Sequence, residues 1–414
     1  MIKGILLGLV TLSAFASTPH IPLELTFEES RQWQKTIEYN QSLKNGDQEE
    51  FETTREIELA TSAGEILGKW LEKINENRGD DPIRLTSVST RRGIPIDKPS
   101  KYGPSTVEKT YKEFQESMPK AMFAVFFENA PLTSELPVEK DLFIEWARKL
   151  SKHYQSAVRW TGMQRWRGYY TQRRFDDVRG YYHLKNLKDL DGKLDTYTNL
   201  STEDKAELKK HLLGICLNTT HSESQCESHF QAYASKNRLK SFKNKYWNHS
   251  EKLWRAFFDI SSPRHDVEWS HKNPYVMEVP FLNPERTDIA NWLKENVEDE
   301  FRREEFNWSL LLSFVDRGFG ISRLDFKPNV TPHVSGGNLI VMDANTSLEE
   351  YSVKWTIRHE YGHILRLPDC YFEFYSPEEN LMINYQLDVT DLMCSRAGDM
   401  NDRIYHELKR VYFK

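Results

Sequence analysis

Apolar positions recur at three- and four-residue spacing through the first two thirds of the chain and in strand-like runs through much of the last third. Leu59, Ala63, Ile66, Leu67, Trp70, Leu71 and Ile74 form one stripe, and Arg78-Gly79 supplies a basic end and a glycine stop, so the spacing predicts a helix. Residues 79–105, rich in Pro, Gly, Ser and Lys, read as a long connection. Leu142, Phe143, Trp146, Leu150, Tyr154 and Ala157 predict a second helix, with Pro137 near its start. Ser201 opens another, acidic in its first turn and running through Leu208, Leu212 and Ile215 to Cys216. Ser224 and Glu227 make a capping box for the next, and Trp247, Leu253, Trp254 and Phe257 mark one more before Ser261-Ser262-Pro263 breaks the pattern. Residues 17–262 therefore read as a mainly α-helical N-terminal region.

Beyond that break the period changes. Tyr275 to Phe281 is strand-like, and Asn283-Pro284 introduces a helix bearing Ile289, Trp292, Leu293, Val297 and Phe301. Trp308 to Val315 is a dense apolar run that predicts a strand buried on both faces, followed by strands at Ile321–Phe326 and Gly336–Met342. Ser347 and Glu350 form a capping box for a helix whose apolar face carries Val353, Ile357, Tyr361 and Ile364. Residues 268–414 thus predict a compact α+β unit: a mixed twisted sheet, a backing helix, this further helix and a C-terminal helix. The chain is multidomain on this reading, as its 414 residues also suggest.

The formal charge of −6 offers no global basic surface, and no nucleic-acid partner is expected. Locally, Arg167-Gly168-Tyr169-Tyr170 is echoed by Arg179-Gly180-Tyr181-Tyr182 among other arginines and aromatics, which reads as guanidinium and ring packing inside a helical domain, with an RNA, polyanion or glycan surface as the alternative. Lys3, the apolar run from Ile5 to Leu12 and Ala14-Phe15-Ala16 match a secretory signal peptide over residues 1–16, so a secreted or periplasmic location is expected. No later stretch reaches about eighteen apolar residues, so no transmembrane segment is expected. An exported chain with four cysteines invites disulfides. Three pairings are possible, and Cys216–Cys226 with Cys370–Cys394 is the most local.

The chemistry concentrates in His359-Glu360-Tyr361-Gly362-His363. On a helix, residues i and i+4 share a face, so His359 and His363 can offer their imidazoles to one zinc ion, with Glu360 beside it as general base. Asp369, six residues on, is a hard anionic oxygen that completes three protein ligands and leaves a fourth position for water.

This stretch, with Asp391-Leu392-Met393-Cys394 downstream, resembles the metzincin clan of zinc endopeptidases, whose signature is H-E-x-x-H-x-x-G-x-x-(H/D) followed by a methionine-containing turn. Asp as third ligand is similar to the snapalysin-type minority. The resemblance covers about residues 268–414. It implies one zinc held by His359, His363 and Asp369, Glu360 as base, Met393 in the turn, a protein or peptide substrate, and a strand at Asn338–Met342 that pairs with extended substrate. The family glycine is Arg366 here, so the reversal after the helix must be built on a non-glycine residue. Glu378 and Glu379 stay open as alternative third ligands, although Ser376-Pro377 interrupts the helix they would need. Tyr385 and His333 are candidates for stabilising the oxyanion. A Cys370–Cys394 bridge would tie the Asp369 loop to the floor of the site. The expectation is an exported zinc-dependent metalloendopeptidase. The alternatives are a catalytically silent zinc-containing envelope protein and a zinc hydrolase of peptidoglycan cross-links.

Overall fold

The computed structural model describes residues 53–79, 81–86, 100–164, 178–376 and 379–414. The expected signal peptide and the first copy of the Arg-Gly-Tyr-Tyr echo lie outside them. Helix α1 (Arg55–Asn75) starts where Thr54 accepts the Ile57 N–H, and it ends at Glu76, before the expected Arg78-Gly79 stop. The long connection contains strand β1 (Ser100–Tyr102), which leads into α2 (Pro104–Ser117), α3 (Lys120–Phe127) and α4 (Lys140–Gln164). These helices bury one aromatic core, in which Phe126 and Phe143 stand edge-on to Trp70 at 5.3 and 5.4 Å.

His153 on α4 is buried at 3% exposure against the edge of Phe114, and neither ring nitrogen has a hydrogen-bond partner. Burial alone pushes its pKa down to about 4. The unfolded chain therefore takes up a proton between about pH 6.5 and 4 that the folded chain refuses. This contribution to stability is whole above pH 6.5 and drains as pH falls, by about 2 kcal/mol at pH 5. His153→Leu is expected to narrow the gap between urea unfolding free energies at pH 7.5 and pH 5 by that order. An unchanged gap would place the acid sensitivity elsewhere.

A second helical cluster comprises α5 (Arg179–Asn186), α6 (Leu190–Asp195), α7 (Thr202–Thr220), α8 (Glu223–Ala234) and α9 (Leu239–Ala256). Ser201 caps α7 as expected. The cap of α8 is Ser222 rather than Ser224, because His221 at φ 51° reverses the chain directly after α7 and starts the next helix two residues early. The Cys216–Cys226 disulfide joins these two helices. The second Arg-Gly-Tyr-Tyr copy is interior packing: Tyr181 lies 4.8 Å from Trp247, and Tyr182 stacks on Trp254 at 5.4 Å.

The remaining chain is strand-rich. It runs β2 (Glu268–Ser270), β3 (Asn273–Leu282), α10 (Thr287–Glu300), β4 (Arg302–Arg303), β5 (Trp308–Val315), β6 (Arg323–Lys327), β7 (His333–Ser335), β8 (Leu339–Asp343), α11 (Tyr351–Ile364), β9 (Tyr371–Ser376), β10 (Leu381–Gln386) and α12 (Asp402–Tyr412). β3 and β5 are parallel, as are β6 and β8, whereas β7 is antiparallel to β8. A bridge between Phe281 and Ser322 and the Leu282 N–H on Ser322 O (2.7 Å) link the two groups. Helices α10 and α11 pack Leu293, Val297, Ile357 and Tyr361 on Val279, Leu312 and Ile340 of the strands.

Three expectations need correction. β5 is not buried on both faces, since Leu311 is 36% exposed and α10 covers only the face of Leu310 and Leu312. β8 is an interior strand between β6 and β7, so it has no free edge for a substrate. Glu350 does not complete a capping box with Ser347; its carboxylate instead accepts the N–H groups of Leu85 and Thr86 at 2.7 and 2.9 Å.

That last contact is one of several that fasten the helical region to the strands. β1 pairs with β10, which pairs with β9, and Tyr154 on α4 donates to Asp343 at the end of β8 (2.9 Å). Gly68 lets α1 pass against the carbonyl of Asn345, where a Cβ would collide with it. The fold is mixed α/β, with three small sheets and a multi-helix part. Among the described residues no helix is long and apolar enough to cross a membrane.

Candidate metal centre

α11 presents His359 and His363 one turn apart, with ring centroids 4.9 Å from each other. After Ile364 the chain reverses through Arg366 at φ 68°, with Arg366 N–H on His363 O (2.9 Å) and Leu367 N–H on Gly362 O (3.0 Å). This is a Schellman-type stop with arginine in the left-handed position, at a local cost of about 1–2 kcal/mol. The Arg366 guanidinium fills the space where Gly337, itself at φ 74°, lacks a Cβ, and Tyr412 Oη donates to the freed Leu365 carbonyl at 2.9 Å. The reversal brings Asp369 back over the helix.

Asp369 Oδ1 then stands 3.3 Å from His359 Nε2 and 3.1 Å from His363 Nε2. Each imidazole is held from behind: His359 Nδ1 donates to Leu392 O at 2.8 Å and His363 Nδ1 to Leu367 O at 2.9 Å. With each Nδ1 donating to a carbonyl, each Nε2 is the free ring nitrogen, and both lie close to Asp369 Oδ1, a buried oxygen with no hydrogen-bond donor of its own among the described residues. These three atoms lie within 4.8 Å of one another, a grouping that could hold a metal ion. Burial works against charge on His363, but the Asp369 carboxylate outweighs it and holds the imidazole up at about 9. Burial likewise opposes charge on Asp369, yet the two imidazoles hold its carboxyl well below the usual range. A proton shared among these groups and a metal ion held by them would exclude one another.

Glu360 is 2% exposed on the same turn as His359. Beneath the helix lies Met393, fully buried, with its Sδ against Gly362. Its turn is drawn tight by Asp391, whose Oδ1 accepts Met393 N–H (2.9 Å) and whose Oδ2 accepts Asn401 Nδ2 (3.0 Å) and Arg403 Nε (2.6 Å). Cys370 and Cys394 form the second disulfide, and Cys370 N–H donates to Met393 O at 3.2 Å. The Asp369 loop is thereby fixed to the methionine turn. Gly362→Ala would push a Cβ well inside contact with Met393 Sδ, and is expected to lower stability by about 1–3 kcal/mol in thermal unfolding. A variant as stable as wild type would show that the methionine does not support this helix.

Of the alternative third ligands, Glu379 pairs with Lys101 at 2.6 Å, away from the histidines, and Glu378 lies outside the described residues. The described residues on either side are strand (Tyr371–Ser376) and turn (Glu379–Asn380). His333 is exposed on β7 with Nδ1 on Thr331 O, and Tyr385 lies in β10. Sequence reasoning missed two polar groups, one near His359 and one near Glu360. Tyr371 opens β9 with its ring 6.5 Å from that of His359; burial first, then the Asp369 and Glu373 carboxylates, push its phenol well above the usual range. Arg396 brings Nη2 to 4.0 Å from Glu360 Oε1. Only the position of Tyr371 two residues after Asp369 could have drawn notice in the sequence. The chain matches no protein-family model, no curated protein and no solved structure.

Proposed function

We propose that this chain is a zinc-dependent metallopeptidase of metzincin-like type. The observation that carries the reading is the convergence of His359 Nε2, His363 Nε2 and Asp369 Oδ1 with both histidines anchored through Nδ1. His359, His363 and Asp369 would hold the zinc, since their two His–Asp separations of 3.3 and 3.1 Å are close to the roughly 3.4 Å expected between ligands of one zinc ion. The succession of small mixed sheets, backing helix α10, histidine-bearing α11 and C-terminal α12 supports the same reading, as do two disulfides in a chain whose first residues read as an export signal.

Zinc bound there supplies Lewis-acid polarisation of the scissile carbonyl and lowers the pKa of water toward about 7. Glu360 takes the water proton and hands it to the departing amine. The free edge of β7 pairs with an extended peptide, in the place expected of β8, and suits internal segments of a chain as well as ends. Tyr371, kept protonated, is placed to donate to charge that develops near Glu360 and Asp369.

The test is metal analysis of the purified protein together with its action on casein and a peptide library, with and without a zinc chelator. The expected result is one zinc per chain and chelator-sensitive cleavage. A zinc-loaded protein that cleaves no peptide would sink the reading.

A further inference from the structure

Beside Glu360 the chain encloses a cavity of about 230 Å³. Its walls include Val353 and Thr356 on α11, Met342 on β8, Pro332 before β7 and Val158 on α4. Thr356 lies one turn before Glu360 on the same helix face, and Arg396 both lines the cavity and approaches Glu360, so the space adjoins the proposed general base through these two residues. A cavity of about 150 Å³ admits benzene, so this one admits a whole side chain or a terminal residue.

Three charged residues line it, and two are engaged. Asp343 accepts from Tyr154 Oη (2.9 Å) and from Asn345 N–H (3.2 Å), and Arg159 is ion-paired with the buried Glu373. Arg396 is 39% exposed and makes no hydrogen bond among the described residues; Glu360, at 4.0 Å, is beyond bonding reach. The result is a largely apolar pocket lined by one guanidinium that makes only a long ion pair, with Glu360, among the described residues. A planar guanidinium on the rim of an apolar pocket matches a carboxylate on a short apolar stem.

We propose that this cavity binds a substrate carboxylate through Arg396, and that α4 of the helical region is a permanent wall of the pocket. The carboxylate belongs to an acidic side chain or to the chain terminus. The inference rests on the peptidase reading for its context and names the substrate class of the same site.

The experiment uses the full chain held metal-free with chelator, and fluorescein-labelled peptides in matched pairs: internal Glu against Gln, and free C-terminus against C-terminal amide. Anisotropy is expected to show the carboxylate member of one pair binding about ten- to a hundredfold tighter, and which pair discriminates identifies the source of the carboxylate. Arg396→Gln should erase the difference, with an unchanged thermal unfolding midpoint reporting intact folding. Gln155→Glu places a negative charge on the exposed α4 wall and should weaken only the carboxylate member, by several-fold. Equal binding of both pairs by wild type, or a preference that survives Arg396→Gln, overturns the pocket; an inert Gln155→Glu overturns the role of α4. The same peptides are then offered to the zinc-loaded protein. Cleavage without preference leaves the peptidase reading and removes the pocket, and preference without cleavage does the reverse.

Discussion

Glu360→Ala is expected to lower peptide hydrolysis about a hundred- to ten-thousandfold while zinc remains at one ion per chain. The magnitude is that of a positioned general base. Metal retention follows from the geometry, because the three converging atoms belong to His359, His363 and Asp369, and their anchors at Leu392 O and Leu367 O do not involve Glu360. His363→Ala should instead lose the metal and the activity together. Comparing metal content and kcat for the two variants separates a base from a ligand. A Glu360→Ala protein that keeps wild-type turnover, or that emerges metal-free, would refute the assignment.

Arg358→Leu is expected to cost about 3–5 kcal/mol in urea unfolding. Arg358 precedes the first histidine but faces away from the site, with Nη1 on Glu300 at 2.9 Å and Nη2 on Asp299 at 3.1 Å. The Glu300 side chain is 3% exposed, and its other oxygen accepts the Met400 N–H at 2.7 Å. One carboxylate therefore joins backing helix α10, helix α11 and the segment leading to α12. Without Arg358 a buried carboxylate loses the guanidinium that balances its charge. Adding Glu300→Gln to Arg358→Leu removes that charge and should recover part of the loss. A single variant within about 1 kcal/mol of wild type would show that the node is not buried in solution.

How much of the site was legible follows from how each part is encoded. The H-E-x-x-H pair is an i, i+4 relation, and any helix through it places both imidazoles on one face. Arg366 could be recognised as standing where a chain reversal was needed. The means of tolerating it could not, because they lie in Gly337 and Tyr412, distant in sequence. Glu350 illustrates the opposite error. Its spacing from Ser347 satisfies a local capping rule, yet two backbone N–H groups at Leu85 and Thr86 claim its carboxylate. β8 carried the apolar pattern of a strand, but apolarity does not say whether an edge is free, and β7 pairs on the side expected to receive substrate. The run Trp308–Val315 was likewise read as buried twice over, although α10 covers only one of its faces.

By itself, then, the sequence determined the local elements: the ligand-bearing helix, most of the surrounding helices and strands, and a set of cysteines whose most local pairing is the one that forms. These depend on periods of a few residues and on short loops, which a linear pattern records directly. Tertiary structure alone decided which neighbour each face meets. It set Arg396 near Glu360 and Tyr371 near His359, made α4 a wall of the adjoining cavity, and seated Met393 under Gly362. Each of these depends on packing between segments tens to hundreds of residues apart, where periodicity names the buried face and leaves its partner open.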